Sequence, residues 1–390
     1  MGKRGLLVKW IVPAVCLVLS CWCSKDGQEA EWAPAIEVVD GIRIITNPEA
    51  PKYGDFAFEF EEDLVIGDAN DEDYFFYNVS DLKVDEEGNI YVCDGGNKRV
   101  QEYDKYGNYV RTIGRQGQGP GEYSYPSRLF LDDAGNPCVH DSRSLIYYDR
   151  KGDFQKKILI EGFYSRLLPG PNGTFLGTTQ PSARTEGGAK TSIVQIGQNG
   201  EPLRTIAEYP VEYSESQKAI VLHWYTHNIA LSPRNSDTFY YGFSKDYEVR
   251  IADNEGRTVF VLAKEGEPIS ISGEEKELTR KDGFYAAIGT NRPREAIVFP
   301  GHRPFFVRFM SDDTGHLYII RSRSILERDD KTSSVDVFSK EGTYLYQMKW
   351  PFIPSLIKRG FLYEIRENEE TGDVNVLRYK INNWQRFREE

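Results

Sequence analysis

Hydrophobic and polar residues alternate along this chain in short runs, and a turn containing glycine ends many of them. In one example, Leu82-Lys83-Val84 leads into an acidic turn that ends at Gly88, and a second apolar run begins at Ile90. Alternation with a period of two is typical of strands with one buried face, and a short glycine-containing turn joins two antiparallel strands. The pattern predicts an all-β chain built of hairpins.

This strand–turn–strand unit recurs along the sequence. Residues 81–94 and 128–141 share a first strand, an acidic turn with glycine and a second strand that ends in aspartate. Weaker copies of the unit occupy residues 166–177, 228–242 and 308–321.

A second half-unit follows each copy, and in it an apolar residue precedes a turn glycine by seven positions. The five pairs are Val100 and Gly107, Leu145 and Gly152, Ile193 and Gly200, Val249 and Gly256, and Val335 and Gly342. This spacing fits a third strand, a turn and a fourth strand. Four strands in a unit of about 45 residues are the signature of a β-propeller blade.

A sixth blade follows from the two ends of the repeat region. Residues 356–381 predict three strands, and residues 56–66 supply the missing outer strand. Sharing one blade between the chain ends closes the ring and removes exposed sheet edges. The fold class is therefore all-β, a six-bladed β-propeller of four-stranded antiparallel blades closed by pairing of the N- and C-terminal strands. It spans residues 53–390, with inserts at 210–227 and 264–306, and residues 270–287 predict one or two short helices.

The first repeat also resembles a known family. Residues 88–92, Asp94, Asn97, residues 99–100 and the glycine-rich loop 114–123 are similar to an NHL repeat. More narrowly, the chain is similar over roughly residues 36–381 to bacterial six-bladed β-propeller lipoproteins, a similarity that includes residues 41–48. The resemblance implies the fold and leaves the function open, because propellers host binding modules and enzymes alike.

The N-terminus predicts export. Residues 1–20 combine a basic start with an apolar stretch that is too short for a membrane span, as in a signal peptide. Residues 18–21 resemble the bacterial lipobox, which makes Cys21 the lipidated residue. The alternative is a plain secretory signal followed by an incidental cysteine. Residues 21–52 predict a tether, and Trp22 after the cysteine favours an outer-membrane lipoprotein on the periplasmic or surface face.

Charge narrows the partners. The formal net charge is −12, with acidic groups spread along the chain, which disfavours nucleic acid. The expected partners are an envelope protein, a peptide or an anionic small molecule, with membrane contact through the lipid anchor only. No cofactor is expected.

A candidate ligand site comes from the first strand of each unit, which lines the central channel of a propeller. Asp81, Arg128, Arg166 and Arg308 all precede a turn glycine by seven residues, and Asn228 matches if its turn carries one extra residue. Converging guanidinium groups bind carboxylate, sulfate or phosphate at the channel mouth. In the alternative, the arginines pair with acids of neighbouring blades and only hold the ring together.

The sequence contains few motifs that are typical of enzymes. His223 and His227 are spaced as on a helix but lack the glutamate of a metalloprotease motif, and the chain has no Cys-x-x-C and no Gly-x-Ser-x-Gly. Cys93 and Cys138 lie in predicted strands and are expected to be buried. We therefore predict a binding or scaffold protein with no catalytic or metal-ligating residues. A propeller hydrolase or lyase with a metal in the channel is the alternative.

Overall fold

Six consecutive β-sheets make up the protein. The computed structural model describes residues 32–132, 134–179, 189–211, 222–223, 225–281 and 297–388. Each provides a blade of four strands in antiparallel order. The strands are Val79–Val84, Ile90–Asp94, Arg99–Tyr103 and Tyr109–Ile113 in blade 1; Pro126–Leu131, Pro137–Asp141, Ser144–Tyr148 and Phe154–Leu159 in blade 2; and Arg166–Pro169, Phe175–Thr178, Lys190–Ile196 and Pro202–Pro210 in blade 3. They are Ile229–Pro233, Thr238–Phe243, Glu248–Asp253 and Thr258–Lys264 in blade 4; Phe306–Ser311, Leu317–Arg321, Ser333–Phe338 and Tyr344–Trp350 in blade 5; and Leu356–Lys358, Phe361–Glu367, Val374–Ile381 and Phe60–Ile66 in blade 6.

Apolar side chains pack between neighbouring blades. Val92 and Tyr103 of blade 1 belong to one buried cluster with Val376 of blade 6, while Val100 shares another with Val139 of blade 2. The first strands of blades 1 and 2, 3 and 4, 4 and 5, and 6 and 1 also contact one another. These contacts confirm the predicted six-bladed propeller.

The ring closes in blade 6 as the sequence predicts. Its outer strand, Phe60–Ile66, pairs antiparallel with Val374–Ile381, and Phe60 lies opposite Ile381. The two ends of the repeat region therefore share a sheet, and the pairing covers the edge that Val374–Ile381 would otherwise leave open.

The turns between third and fourth strands require glycine for a second reason besides its positive φ angle. Each glycine lies close to the preceding blade. A Cβ added to it would come within 3.1 Å of the outer strand of that blade or, for blade 4, of the strand Ile42–Asn47. The contacts are Gly107 with Leu64, Gly152 with Ile113, Gly200 with Leu159, Gly256 with Ile206, and Gly342 with Ile45. The seven-residue spacing thus marks the places where one blade rests against the next.

The structure of the N-terminal segment differs from the predicted boundary between tether and propeller. Ala35–Val39 and Ile42–Asn47 form a hairpin, and the second strand pairs in parallel with Thr258–Lys264. Blade 4 is therefore part of a six-stranded sheet. The predicted tether, 21–52, is wrong from residue 35 onward, because backbone hydrogen bonds join this part to the propeller.

The same segment then crosses the outer edge of blade 5. The Tyr53 N–H donates to the Leu345 carbonyl at 3.0 Å, and the Phe56 N–H donates to the Gln347 carbonyl at 2.9 Å. Residues 42–66 thus contact blades 4, 5 and 6 in succession.

The described residues also form two helices and several short elements. The helices are Gly273–Lys281 and Trp384–Arg388, and 3₁₀ turns occupy Pro171–Gly173 and Ile325–Glu327. Two short parallel pairs join Arg115–Gln116 to Glu122–Tyr123 and Leu222–His223 to Ile297–Val298. The first helix confirms a helix within 270–287, and the end of that stretch lies outside the described residues.

The second short pair joins the two predicted inserts, 210–227 and 264–306, although much of both lies outside the described residues. No helix in the described part of the chain is long and apolar enough to cross a membrane. Cys93 and Cys138 are buried free thiols, as expected, and burial raises the pKa of each to about 12.

Candidate ligand site in the channel

The first strand of each blade presents alternate residues to the channel. Its central apolar residue packs between blades and is at most 3% exposed in Leu82, Leu129, Leu167, Leu231 and Phe309 of blades 1 to 5. Because side chains alternate along a strand, the residues on either side of it point the other way. Those residues form two layers of channel lining, an upper one just before the apolar residue and a lower one just after it.

The upper layer contains four of the five predicted site residues. Asp81, Arg128, Arg166 and Arg308 line a single cavity of about 420 Å³. Each lies three residues before the last residue of its strand, and they pair in register with Cys93, His140, Thr178 and Ile320 of the second strands. The structure therefore brings these four side chains together in the channel.

Asn228 does not belong to this layer. The equivalent residue of blade 4 is Ala230, which pairs with Gly242 three residues before the end of its strand at Pro233. The blade 4 turn has the same length as the others and has Asp237 in place of the glycine, so the assumed extra residue is wrong. Asn228 is exposed, and its side chain donates to the Thr226 carbonyl at 2.8 Å.

Asp81 is already neutralised. Its Oδ1 accepts hydrogen bonds from Lys83 Nζ at 2.7 Å and from the Leu82 N–H at 2.9 Å. Its Oδ2 accepts one from the Leu129 N–H at 3.0 Å, which ties blade 1 to blade 2. This carboxylate is the only acidic group among the described residues that line the cavity.

The side chains of the three arginines have no such partner among the described residues. No side-chain hydrogen bond or ion pair joins Arg128, Arg166 or Arg308 to another residue that the structure describes. The alternative in which these arginines pair with acids of neighbouring blades therefore finds no contact in the described part of the chain. With Asp81 matched by Lys83, the described lining of the cavity holds three positive charges without an acidic partner.

The guanidinium groups act on one another. Burial lowers the pKa of Arg166, and the charges of Arg308 and Arg128 lower it further. Burial and the charge of Arg128 also lower the pKa of Arg308, while Asp81 opposes them. Converging like charges in a partly buried site favour an anion between them.

The lower layer is largely apolar. Phe130, Leu168 and Met310 lie two residues after Arg128, Arg166 and Arg308 on the same strands, and all three line the same cavity. Ser232 of blade 4 also lies at this level, and its hydroxyl is 3.0 Å from that of Ser311. Sequence reasoning missed this layer, although counting two residues on from each predicted arginine would have found it.

A second cavity, of about 520 Å³, opens at the lower mouth and shares Lys83, Phe130, Pro169 and Leu356 with the first. Its basic groups are paired with acids. Arg150 lies 2.6 Å from Glu87, and Lys358 lies 2.8 Å from Glu86. Among the described residues, this mouth consequently offers no unpaired cation comparable with the arginine layer.

The upper face, which carries the connections between blades, bears exposed aromatic rings. Tyr77, Tyr125 and Phe163 precede the first strands of blades 1, 2 and 3 and are at least 68% exposed. The helix Gly273–Lys281 of the insert 264–306 docks on the same face. Its Glu275 accepts a hydrogen bond at 2.6 Å from Ser324 Oγ of blade 5, and another at 2.8 Å from the Ser272 N–H just before the helix.

Other candidate chemistry is dispersed. Within the described residues, no three His, Cys, Asp or Glu side chains are grouped so that they could hold a metal ion. His227 and His302 have ring centroids 4.8 Å apart, while His316 contacts Asp312 in blade 5. The His223 side chain and Cys21 lie outside the described residues.

Comparisons with known proteins agree with the fold. A family model described as a 6-bladed beta-propeller matches residues 70–240. Among curated proteins, none matches this sequence.

Solved structures with the same fold include a protein of Bacteroides fragilis NCTC 9343 that is predicted to be exported. It shares 12% identity with a TM-score of 0.53, over 86% of this chain and 100% of its own. A protein of Bacteroides vulgatus ATCC 8482 shares 12% identity with a TM-score of 0.49, over 83% and 98%. Virginiamycin B lyase from Staphylococcus aureus shares 10% identity with a TM-score of 0.42, over 83% and 99%. At 12% identity, the similarity to the Bacteroides fragilis protein shows the fold alone.

Proposed function

We propose that this protein is a binding propeller that recognises an anionic group in the upper half of its channel. One observation carries the proposal, namely the guanidinium groups of Arg128, Arg166 and Arg308, which lie in one cavity and have no ion-pair partner among the residues that the structure describes. A guanidinium presents paired donors that match the oxygens of carboxylate, phosphate or sulfate. An anion of a peptide, a partner protein or a small molecule would supply the missing counter-charge.

The test is anion binding by the purified protein. Phosphate, sulfate and citrate are titrated by calorimetry, and thermal stability is compared with NaCl at equal ionic strength. We expect specific stabilisation by at least one of these anions and a loss of affinity of tenfold or more in Arg166→Gln and Arg308→Gln.

Arg257→Gln is the matched control, because Arg257 is 69% exposed and pairs with Asp253 in a blade 4 turn. The proposal fails if none of the anions binds, or if the control loses as much affinity as the channel variants.

We further propose that the protein is exported and anchored through a lipid on Cys21. The basic and apolar character of residues 1–20 and the lipobox-like residues 18–21 support this. Labelling cells with a radioactive fatty acid should mark the wild-type protein and Cys23→Ser but not Cys21→Ser. Equal labelling of both cysteine variants would refute the anchor.

A further inference from the structure

The two channel layers come from the same blades and differ in chemistry. Arg128, Arg166 and Arg308 form the upper layer, and the residue two positions later on each strand is apolar. Two residues along a strand advance by about 6–7 Å. A ligand that enters from the upper face therefore meets cationic groups first and an apolar surface one layer deeper.

The upper layer has an uncharged position between two of its arginines. Ala230 of blade 4 stands between Arg166 of blade 3 and Arg308 of blade 5, and a methyl group is the whole of its side chain. The charge of Arg308 nevertheless acts on Arg166 across this blade. An anionic group placed beside Ala230 would thus lie between two guanidinium groups.

The polar groups of the lower layer are already engaged. The hydroxyls of Ser232 and Ser311 are 3.0 Å apart, and Ser311 Oγ also donates to the Pro233 carbonyl at 2.5 Å. Lys83 Nζ binds Asp81. This layer therefore offers a ligand mainly apolar surface, from half-buried Leu168 and from the small exposed parts of Phe130 and Met310. Such a surface makes no hydrogen bonds with the hydroxyls of a polyhydroxylated group, and burying them there is unfavourable.

On the basis of the proposed function, we propose that the ligand is an amphipathic organic anion. Its headgroup, a phosphate, sulfate or carboxylate, binds between Arg166 and Arg308 beside Ala230. Its tail is a short apolar group that reaches Leu168 and Met310 in the layer below. The cavity of about 420 Å³ lies at the small end of the range for small-molecule sites, which limits the tail to a few carbons.

A homologous series tests the tail. Inorganic phosphate and ethyl, butyl and hexyl phosphate are titrated into the wild-type protein, with hexanol as a neutral control. We expect Kd to fall about fourfold per buried methylene until the apolar layer is filled, and hexanol to bind far more weakly than hexyl phosphate. Butyl sulfate and pentanoate rank the three headgroups.

Variants of the lower layer separate this inference from the proposed function. Leu168→Asn should remove the gain from chain length yet leave phosphate affinity within about twofold, while Leu168→Met should retain that gain. If phosphate binds in an arginine-dependent way but the alkyl chain adds nothing, the amphipathic ligand is refuted and the anion site stands. If phosphate itself does not depend on the arginines, both fail.

Two substitutions of Ala230 test where the headgroup binds. Ala230→Glu supplies a carboxylate to the two arginines and should weaken butyl phosphate binding by about a hundredfold. Ala230→Gln adds the same bulk without charge and should weaken it by less than tenfold. Equal losses in the two variants, or no loss in either, would overturn this placement.

Discussion

Asn47 Oδ1 accepts a hydrogen bond of 2.8 Å from the Tyr344 N–H, across 297 positions of sequence. The amide Nδ2 of Asn47 donates to the carbonyls of Gly342 at 2.9 Å and Ala263 at 3.1 Å. One fully buried side chain therefore joins the N-terminal hairpin to the outer strand of blade 4 and to the last turn of blade 5.

Replacing this residue should weaken the whole fold. Asn47→Ala removes the hydrogen bonds of a buried side chain to three backbone groups, and we expect a loss of about 2–4 kcal/mol in the free energy of unfolding. Urea unfolding measures it. Asn108→Ala removes bonds to Asp104 in an exposed turn and should cost under about 1 kcal/mol. Similar losses in both variants would show that burial of Asn47 is unimportant.

The turn glycine of blade 3 should tolerate no side chain. Gly200 has φ +89°, and a Cβ there would lie 2.1 Å from the backbone carbonyl oxygen of Leu159 in blade 2. Gly200→Ala should therefore cost more than about 2 kcal/mol. Gly301→Ala, where a Cβ meets nothing within 4 Å, should change stability by less than about 0.5 kcal/mol. Thermal melts of the two variants decide the matter, and an unchanged Gly200→Ala protein would contradict this packing.

Asp312 should contribute stability that depends on pH. Burial raises the pKa of its carboxyl, but hydrogen bonds from His316, Thr314 and Tyr318 outweigh burial and leave the pKa below its usual value. A carboxyl with a lowered pKa in the folded state stabilises the fold above its unfolded pKa of about 3.9, and this contribution is lost as pH falls through the folded pKa.

We therefore expect Asp312→Asn to be about 1–3 kcal/mol less stable than wild type at pH 7. The difference should shrink below about pH 4. Asp313→Asn, at the exposed neighbouring position, is the control and should follow wild type throughout. Melts between pH 7 and pH 3 measure the effect, and a gap that widens on acidification would contradict the assignment.

Repulsion within the arginine layer should lower the stability of the fold when no anion is bound. In the absence of ligand and at low salt, Arg166→Gln removes a charge that faces Arg308 and Arg128, so stability should stay equal or rise by up to about 1 kcal/mol. Arg378→Gln is the contrasting control, because Arg378 binds Asp63 at 2.5 Å and should lose about 1–3 kcal/mol. Destabilisation of Arg166→Gln to the level of Arg378→Gln would indicate a purely structural arginine.

The fold was predictable because its main constraints are local. Alternating strands and glycine turns recur in sequence, and a Cβ at Gly107 or Gly152 would press on the neighbouring blade. The acidic turns are local as well, since Asp85 Oδ1 accepts from the N–H groups of Glu87 and Asn89 at 3.0 and 2.8 Å. Such features can be read from a single sequence.

The hairpin on blade 4 could not be predicted in the same way. Ile42–Asn47 pairs in parallel with a strand more than two hundred residues later. The two strands are not joined by a short turn, so no local sequence pattern predicts that they pair. Its register is fixed by the contacts of Asn47 with residues of blades 4 and 5.

For the site, counting from turn glycines located four residues correctly and failed at the one blade whose turn lacks that glycine. Asp237 replaces it, and the turn is held instead by Asn235 Oδ1, which accepts from the Asp237 and Thr238 N–H groups. Spacing alone also could not show that Lys83, two residues from Asp81, would neutralise it.

Closure of blade 6 has a consequence for how the chain folds. Phe60–Ile66 leaves the ribosome more than three hundred residues before its partner, Val374–Ile381, has been made. Until then the strand has exposed backbone donors and acceptors, and the ring that includes blades 1 to 5 cannot close. Such distant pairing slows folding and exposes edges that can capture another chain. A nascent chain of this protein is therefore most vulnerable to aggregation just before its last strand appears.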